Sequence, residues 1–274
     1  MNTQPHIQVS ISVIQQELND ILIARLSAEG YDGFEEETGV LKAFIPQISF
    51  DETVLKKILN EYELNFSSTV LPVTNWNEEW EKNFQPVIVD DFCAIRAGFH
   101  QPVGDVQFEI VITPKMSFGT GHHATTYMMV QLMRTVDFYR KYVFDFGTGT
   151  GILSILADKL GAEEVVAIDN DDWSITNATE NLAANKCEHV LLLKSGNIPE
   201  AKSFDIILAN INKHVIAGTL KQMISKLNSN GILLLSGLLE TDFDEIHRVA
   251  VANNLRLQQQ LSGSGWIAFK YQLI

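Results

Sequence analysis

The chain has 274 residues, 46% of them hydrophobic, and a formal net charge of −14 at pH 7. Its length and hydrophobic content allow one large core or two unequal ones, which excludes the disordered and fibrous classes. The negative charge argues against direct binding to nucleic-acid phosphates, and two cysteines cannot build a disulfide framework or a multi-cysteine metal site.

Residues 1–72 are predicted to form a small α+β domain of the ferredoxin-like type. The first strand is indicated by alternating apolar residues at Ile7, Val9, Ile11 and Val13. A helix, two short strands around a turn near Gly39, a second helix opened by Asp51 and a last strand follow. This order of elements is typical of a split βαβ domain.

The first 75 residues carry 11 acidic and 4 basic side chains, so their net charge of −7 is half of the total of −14. This concentration of negative charge favours a basic macromolecular partner. A solvated acidic surface explains the charge equally well, and both interpretations stay open.

Residues 73–83 are predicted to form a linker helix with Trp76 and Trp80 on one face, where they are interpreted as packing residues. A β-rich entry segment at 84–140 follows, with strands within 87–97 and 106–113. It closes with a helix whose methionines at 128, 129 and 133 are interpreted as core rather than as a metal site.

From Tyr142 onward, strands and helices alternate regularly. Strands are predicted at 142–146, 164–169, 190–194, 204–209 and 231–236, with amphipathic segments between them. This alternation indicates a Rossmann-like α/β domain, a parallel sheet with helices on both faces. The last two segments, 256–261 and 266–273, are predicted to form an antiparallel hairpin at the edge of the sheet.

Neither a basic-then-apolar leader nor a long apolar run is evident, and the apolar stretch at 231–235 is far shorter than a membrane span. We therefore expect a cytoplasmic protein with no membrane partner and no metal site.

A glycine-rich loop follows the strand at 142–146. Gly147, Gly149 and Gly151 alternate between this strand and the next helix, where missing Cβ atoms let a ligand approach the backbone closely. An acid, Asp145, stands two residues before the first glycine. We interpret the segment as a cofactor loop, and a simple tight turn between strand and helix is the alternative.

Asp169 ends the following strand, 22 residues after Gly147. A carboxylate at this point of a doubly wound sheet can accept hydrogen bonds from both hydroxyls of an adenosine ribose. Asp169 could instead cap the next helix, although Asp171 or Asp172 could also fill that role.

Two cofactor classes fit a glycine loop followed by such an acid. The Gly-x-Gly-x-Gly spacing differs from the Gly-x-Gly-x-x-Gly of nicotinamide dinucleotide folds. This spacing and the closing hairpin favour S-adenosylmethionine and a class I methyltransferase domain over a nicotinamide oxidoreductase.

Asn210 directly follows the fourth predicted strand of the sheet, at the edge where ligands of open α/β sheets bind. We predict that Asn210 is the catalytic residue and that it orients an attacking amine together with the carbonyl of Ala209. Capping of the next helix is the alternative role for this asparagine.

With these residues in place, the chain resembles the PrmA family, methyltransferases of ribosomal large-subunit protein eleven. The resemblance covers essentially the whole chain and is carried by Ser-Phe-Gly-Thr-Gly-His-His-Ala-Thr-Thr at 117–126, the glycine loop, Ala-Asn-Ile at 209–211 and Ser-Gly-Leu-Leu at 236–239. It implies methylation of the α-amine and lysine side chains of that basic ribosomal protein, which the domain at 1–72 holds while the domain at 84–274 transfers the methyl group.

The resemblance also implies the cofactor contacts. Those expected are Thr126, Gly147, Asp169 and Asn210, with Gly149 and Gly151 in the glycine loop and with Phe118 and Gly119 in a loop that closes over the cofactor. Family members typically carry Thr-His-Pro-Thr-Thr where this chain has His-His-Ala-Thr-Thr at 122–126, so the local turn is expected to differ. His122 and His123 can also be read as residues of a helix start.

Three further interpretations remain beside this one. The chain could methylate another protein or a small amine, it could bind S-adenosylmethionine as a non-catalytic assembly factor, or it could be the nicotinamide oxidoreductase weighed above. Fold alone does not distinguish among them.

Overall fold

The computed structural model describes residues 5–12, 16–71, 84–114 and 121–274. The chain divides into two compact units, Met1–Asn83 and Phe84–Ile274. The predicted linker helix with Trp76 and Trp80, and the predicted contacts Phe118 and Gly119, lie outside the described residues.

The first unit contains a four-stranded antiparallel sheet and two helices. Its elements are β1 (His6–Ser12), α1 (Gln16–Ala28), β2 (Gly33–Glu37), β3 (Val40–Pro46), α2 (Glu52–Asn60) and β4 (Phe66–Leu71), with the strand order β2-β3-β1-β4. Alternate residues of β1 and β3 are buried against the helices. Asp51 begins α2 by accepting hydrogen bonds from the backbone of Thr53 and Val54, as its position in the sequence predicts.

The second unit opens with a three-stranded sheet in the order β5-β6-β7. These strands are β5 (Val87–Val89), β6 (Cys93–Ala97) and β7 (Phe108–Ile112), with β6 and β7 parallel. Helix α3 (Ala124–Met133) follows, and its three methionines are buried in the core, as predicted.

The remaining elements build a seven-stranded sheet with helices on both faces. They are β8 (Tyr142–Phe146), α4 (Ile152–Lys159), β9 (Glu164–Asp169), α5 (Asp172–Ala184), β10 (Val190–Lys194), β11 (Phe204–Asn210), α6 (Lys213–Ser225), β12 (Leu227–Leu239), α7 (Phe243–Ala252), β13 (Leu255–Gly263) and β14 (Trp266–Leu273). The strand order is β10-β9-β8-β11-β12-β14-β13. Five strands are parallel, while β14 runs antiparallel between β12 and β13, so the predicted α/β class and closing hairpin are confirmed.

Successive residues of the central strands enter opposite cores. Val143 packs into the core that contains α3 and α4, and the next residue, Phe144, packs into the core that contains α6 and α7. The central strands therefore read as continuous apolar runs, because both of their faces are buried.

Strand β12 is longer than the predicted 231–236. Its first residues, 227–230, are mostly polar, and Asn230 has a φ of +61° where the pairing with β11 is irregular. A second irregularity surrounds Gly237, whose φ is +85°. These interruptions hide the ends of the strand from an analysis based on hydrophobic pattern.

Within the part of the chain that the structure describes, none of the helices combines the length and hydrophobicity that a bilayer crossing requires. Among the same residues, no three His, Cys, Asp or Glu side chains lie together in a way that could hold a metal ion.

Candidate active site

A cavity of about 540 Å³ opens at the carboxyl ends of the central parallel strands. Residues at the ends of four strands line it, namely Phe146 of β8, Asp169 of β9, Asn210 of β11 and Gly237 of β12. This is the edge at which open α/β sheets bind their ligands, and the volume is that of a site for one small molecule.

The glycine loop forms one wall of this cavity. Gly147, Gly149 and Gly151 all have positive φ angles, of 73°, 55° and 85°. A Cβ on Gly147 would lie 2.3 Å from Cγ2 of Ile211, so a larger residue there would require the Ile211 side chain to move. The positive φ angles and this close approach explain the alternating glycines.

The three glycines divide between two roles. Gly147 and Gly149 line the cavity, whereas Gly151 is the N-cap residue of α4. A Cβ on Gly151 would lie 3.5 Å from Cβ of Ala178 in α5. Gly151 therefore contributes to the start of the helix and its packing, as the third glycine of such loops commonly does.

Asp169 is held in a fixed orientation beside the loop. Its Oδ2 accepts a hydrogen bond from the backbone N–H of Gly149 at 2.9 Å, and its Oδ1 accepts one from the N–H of Asp171 at 3.0 Å. The N-cap of α5 is Asp171, which accepts a hydrogen bond from the N–H of Ser174, so Asp169 does not cap this helix. Each oxygen of Asp169 can still accept another hydrogen bond.

Asn210 lines the cavity and does not cap the following helix. The N-cap of α6 is Asn212, which accepts a hydrogen bond from the N–H of Val215. The side-chain N–H of Asn210 donates to Oγ1 of Thr126 at 3.4 Å, and its Oδ1 is buried without a hydrogen-bond partner among the described residues. A buried acceptor in a cavity wall is suited to receive a hydrogen bond from a ligand.

Thr126 is placed differently from the other predicted contacts. It is 2% exposed and reaches the site through its hydrogen bond to Asn210, while its neighbour Thr125 lines the cavity. The structure thus brings Gly147, Gly149, Asp169 and Asn210 to the cavity wall and sets Thr126 and Gly151 behind it.

The two histidines occupy the start of α3. His123 is the N-cap residue, and its Nδ1 lies 3.3 Å from the N–H of Thr125 and 2.7 Å from Oγ1 of Thr125. Because the backbone N–H can only donate, the neutral ring of His123 carries its proton on Nε2. His122 lies 2.8 Å from the carbonyl of Gln85 through Nε2. The interpretation of these histidines as residues at the start of a helix is correct for His123.

Asp145 supports the glycine loop from below. It is 1% exposed, and its Oδ2 accepts hydrogen bonds from Oγ1 of Thr148 at 2.7 Å and from Oγ of Ser154 at 2.6 Å. Burial raises the pKa of Asp145 to about 6, against the opposing effect of the two hydroxyl donors.

Two residues of the site were not predicted from the sequence. Ser154 is an isolated polar residue in an otherwise apolar helix start, a pattern that indicates a buried hydrogen-bond partner. Trp266 lines the cavity and packs edge-on against His123, with 4.7 Å between ring centroids. No short-range pattern marks Trp266, because pairing between β12 and β14 brings it to the cavity.

The geometry fits a ligand that offers sugar hydroxyls to Asp169 and tolerates close contact with the glycine backbone. Asn210, whose Oδ1 has no hydrogen-bond partner within the described ranges, stands where a second, hydrogen-donating group could be oriented. Adenosine supplies such hydroxyls, so the residues present fit S-adenosylmethionine.

Comparison with known proteins identifies close relatives. The family described as ribosomal protein L11 methyltransferase (PrmA) matches residues 9–273. The ribosomal protein L11 methyltransferase of Porphyromonas gingivalis is 38% identical over 260 residues, which cover 92% of this chain and 90% of the relative. That of Chlorobaculum parvum is 39% identical over 258 residues, covering 88% of this chain and 87% of the relative.

A solved structure agrees with these relatives. The crystal structure of a ribosomal protein L11 methylase from Lactobacillus delbrueckii subsp. bulgaricus is 30% identical in sequence and superposes with a TM-score of 0.64. The match covers 69% of this chain and 98% of that one.

Proposed function

This chain belongs to the PrmA family of ribosomal protein L11 methyltransferases, and from that premise we propose that it methylates the α-amine and lysine side chains of ribosomal protein L11. It is an enzyme that uses S-adenosylmethionine. The observation that carries the proposal is the joint lining of one cavity by Gly147, Gly149, Asp169 and Asn210.

The cofactor contacts are part of the proposal. Asp169 accepts hydrogen bonds from the ribose hydroxyls, while Gly147 and Gly149 let the cofactor approach the backbone. Asp169 suits this role because two backbone N–H groups already fix its carboxylate. Thr126 acts through Asn210, Gly151 through the start of α4, and Phe118 and Gly119 are proposed on the family resemblance alone.

When bound, S-adenosylmethionine supplies an electrophilic methyl group on a positively charged sulfur. Asn210 is proposed to orient the attacking amine, together with the carbonyl of Ala209. Its hydrogen bond to Thr126 fixes the side-chain amide, so that Oδ1 is the atom available to accept from the amine N–H. Most of the rate gain is then expected from positioning.

The amine must be neutral to attack, and this requirement separates the two kinds of target. At pH 7, deprotonating a lysine with a pKa of ~10.4 requires roughly 4.6 kcal/mol, whereas deprotonating an α-amine with a pKa of ~7.8 requires about 1 kcal/mol. The α-amine is therefore the easier target. Because Nδ1 of His123 already serves the helix cap, we propose that solvent takes the proton.

The acidic first unit is proposed to hold the substrate. Ribosomal proteins are basic as a class, and half of the chain's net negative charge lies in residues 1–75. Electrostatic complementarity of this kind mainly raises association rates and specificity.

The test of the Asn210 role is the Asn210→Ala variant, assayed on purified L11 with both substrates saturating. We expect kcat to fall about 10²-fold, since an orienting contact to the reacting amine is lost, while the dissociation constant for S-adenosylmethionine changes less than about three-fold. Full turnover by this variant would remove Asn210 from the mechanism.

A further inference from the structure

Asn177 and Asn181 of α5, together with Asn185 at its C-cap, are spaced one helical turn apart and bind the open edge of the three-stranded sheet. Within the described ranges, β7 pairs with β6 on one side only. On its other side, Asn185 accepts from the N–H of Val111 at 2.9 Å and donates to the carbonyl of Val111 at 2.6 Å. Asn181 accepts from the N–H of Thr113 at 2.8 Å, and Asn177 donates to the carbonyl of Thr113 at 3.0 Å.

These side chains make the hydrogen bonds that a neighbouring strand would otherwise make with β7. A strand edge leaves every second residue with an unpaired N–H and C=O, and asparagine carries one acceptor and one donor group that match this pair. The asparagine ladder, Asn177, Asn181 and Asn185, therefore attaches β7 and Thr113 to α5. Asn177 and Asn181 are both fully buried.

Asn181 has a second partner that its neighbours lack. Its side-chain N–H₂ donates to the carbonyl of Thr150 at 2.8 Å and to Oδ1 of Asn177 at 3.2 Å. Thr150 is the residue between Gly149 and Gly151 in the glycine loop. Asn185, by contrast, donates to the carbonyl of Val111 and to that of Asn181 in the last turn of α5.

We propose that Asn181 is a positioning residue of the cofactor site, which fixes the glycine loop at Thr150 and joins it to the chain at Thr113. This inference rests on the proposed cofactor role of Gly147 and Gly149. The Thr150 carbonyl is two bonds from the nitrogen of Gly151 and follows directly on Gly149, whose own N–H is held by Asp169. The loop backbone is thus clamped on both sides of Gly149.

The two hydrogen bonds of Asn181 also predict coupling between Thr113 and the glycine loop. Asn181 accepts from the N–H of Thr113 through Oδ1 and donates to the carbonyl of Thr150 through its N–H₂. Fixing the backbone at either residue therefore favours a fixed backbone at the other. Coupling of this kind is reciprocal, and a ligand that fixes the glycine loop must also stabilise the edge at Thr113.

The direct test compares Asn181→Asp with Asn185→Asp in the full chain. Both substitutions keep the acceptor oxygen and replace the N–H₂ group by oxygen, in the same ladder, with Asn181 inside α5 and Asn185 at its C-cap. Only Asn181→Asp sets an oxygen against the Thr150 carbonyl. We expect its dissociation constant for S-adenosylmethionine, measured by calorimetry, to rise about ten-fold or more, and that of Asn185→Asp to stay within about two-fold of the original.

Steady-state kinetics distinguish a positioning role of Asn181 from a general loss of structure. We expect Asn181→Asp to raise KM for S-adenosylmethionine with kcat on L11 retained within about three-fold once the cofactor saturates. An unchanged affinity in Asn181→Asp overturns the proposal, and so does an equal loss in both variants, because that result would report damage to the ladder as a whole.

Amide hydrogen exchange in the unaltered chain gives an independent answer, including when Asn181→Asp does not fold. S-adenosylmethionine is expected to slow exchange at Thr113 at least three-fold, although Thr113 does not line the cavity. Unchanged exchange at Thr113, with slowed exchange at Gly149, contradicts the coupling. Failure of the unaltered chain to bind the cofactor would instead refute the proposed function.

Discussion

Asp145 is the most strongly perturbed carboxyl group at the candidate site. It lies beneath the glycine loop, where two hydroxyls bond Oδ2 and Oδ1 is without a hydrogen-bond partner among the described residues. Burial, and to a lesser degree the charge of Asp169, raises its pKa to about 6 from an ordinary value of 3.8. The folded protein therefore holds a proton on Asp145 over a pH range in which the unfolded chain has lost it.

This shift predicts a pH-dependent effect of Asp145→Asn. Between about pH 4 and 6 the folded state binds more protons than the unfolded state, so the free energy of unfolding falls as pH rises through this window. Asparagine keeps an acceptor for the two hydroxyls and removes the titration. Relative to that of the original chain, the variant's free energy of unfolding should rise by about 2 kcal/mol between pH 4.5 and pH 8.

Urea unfolding at a series of pH values measures the difference. The sign of the effect at a single pH is not decisive, since the new amide group also needs a hydrogen-bond acceptor. A difference between the two proteins that does not change with pH would contradict the raised pKa of Asp145.

Site residues that are close to one another in the chain could be predicted, whereas contacts between residues distant in the chain could not. The glycines and Asp169 could be predicted because strand, loop and helix are consecutive in the chain, which fixes where their side chains and backbone lie. The link from Thr126 to Asn210 and the approach of Trp266 to His123 span 84 and 143 residues. Such contacts depend on strand pairing and helix packing, which a single sequence does not specify.

Helix α5 shows how one element serves two parts of the fold. Its first turn is capped by Asp171 beside Asp169, and its asparagines hold β7 and the glycine loop. The buried face of this helix is therefore partly polar and includes Ser174, Asn177 and Asn181. A purely hydrophobic criterion overlooks such a polar buried face.

The cap of α5 predicts different outcomes for two adjacent aspartates. Asp171→Ala should lower the free energy of unfolding by about 1 kcal/mol, because Ser174 loses its cap acceptor. Asp172→Ala removes an exposed ion pair with Lys194 and should cost less than about 0.5 kcal/mol. Chemical denaturation of both variants checks this, and equal losses would show that Asp171 is not the effective cap.

Elements were predicted well where apolar residues are continuous, as in β8 and β11. They were predicted less fully where backbone irregularity interrupts the pattern, as in β12 with Asn230 and Gly237. The sheet order, including the antiparallel β14 between β12 and β13, depends on pairing between distant parts of the chain and not on local propensity.

The concentration of net negative charge in the first unit predicts that this unit attracts the basic substrate. Glu35, in edge strand β2 of the first unit, is exposed. Glu35→Lys should raise KM for L11 about three- to ten-fold with kcat unchanged, and the effect should shrink at high salt. Glu188→Lys alters net charge equally at an exposed position of the second unit and serves as the control. Equal effects of both variants would indicate a response to net charge alone.

We conclude that this chain transfers methyl groups from S-adenosylmethionine to amines of ribosomal protein L11. This activity can be measured as transfer of labelled methyl to purified large-subunit ribosomal proteins, resolved by mass spectrometry, with Asp169→Ala as the control. We expect label on the α-amine and lysines of L11, and a loss of at least about 10²-fold in the control at low cofactor concentration. Cofactor binding without label on L11, or label confined to another protein, would contradict it.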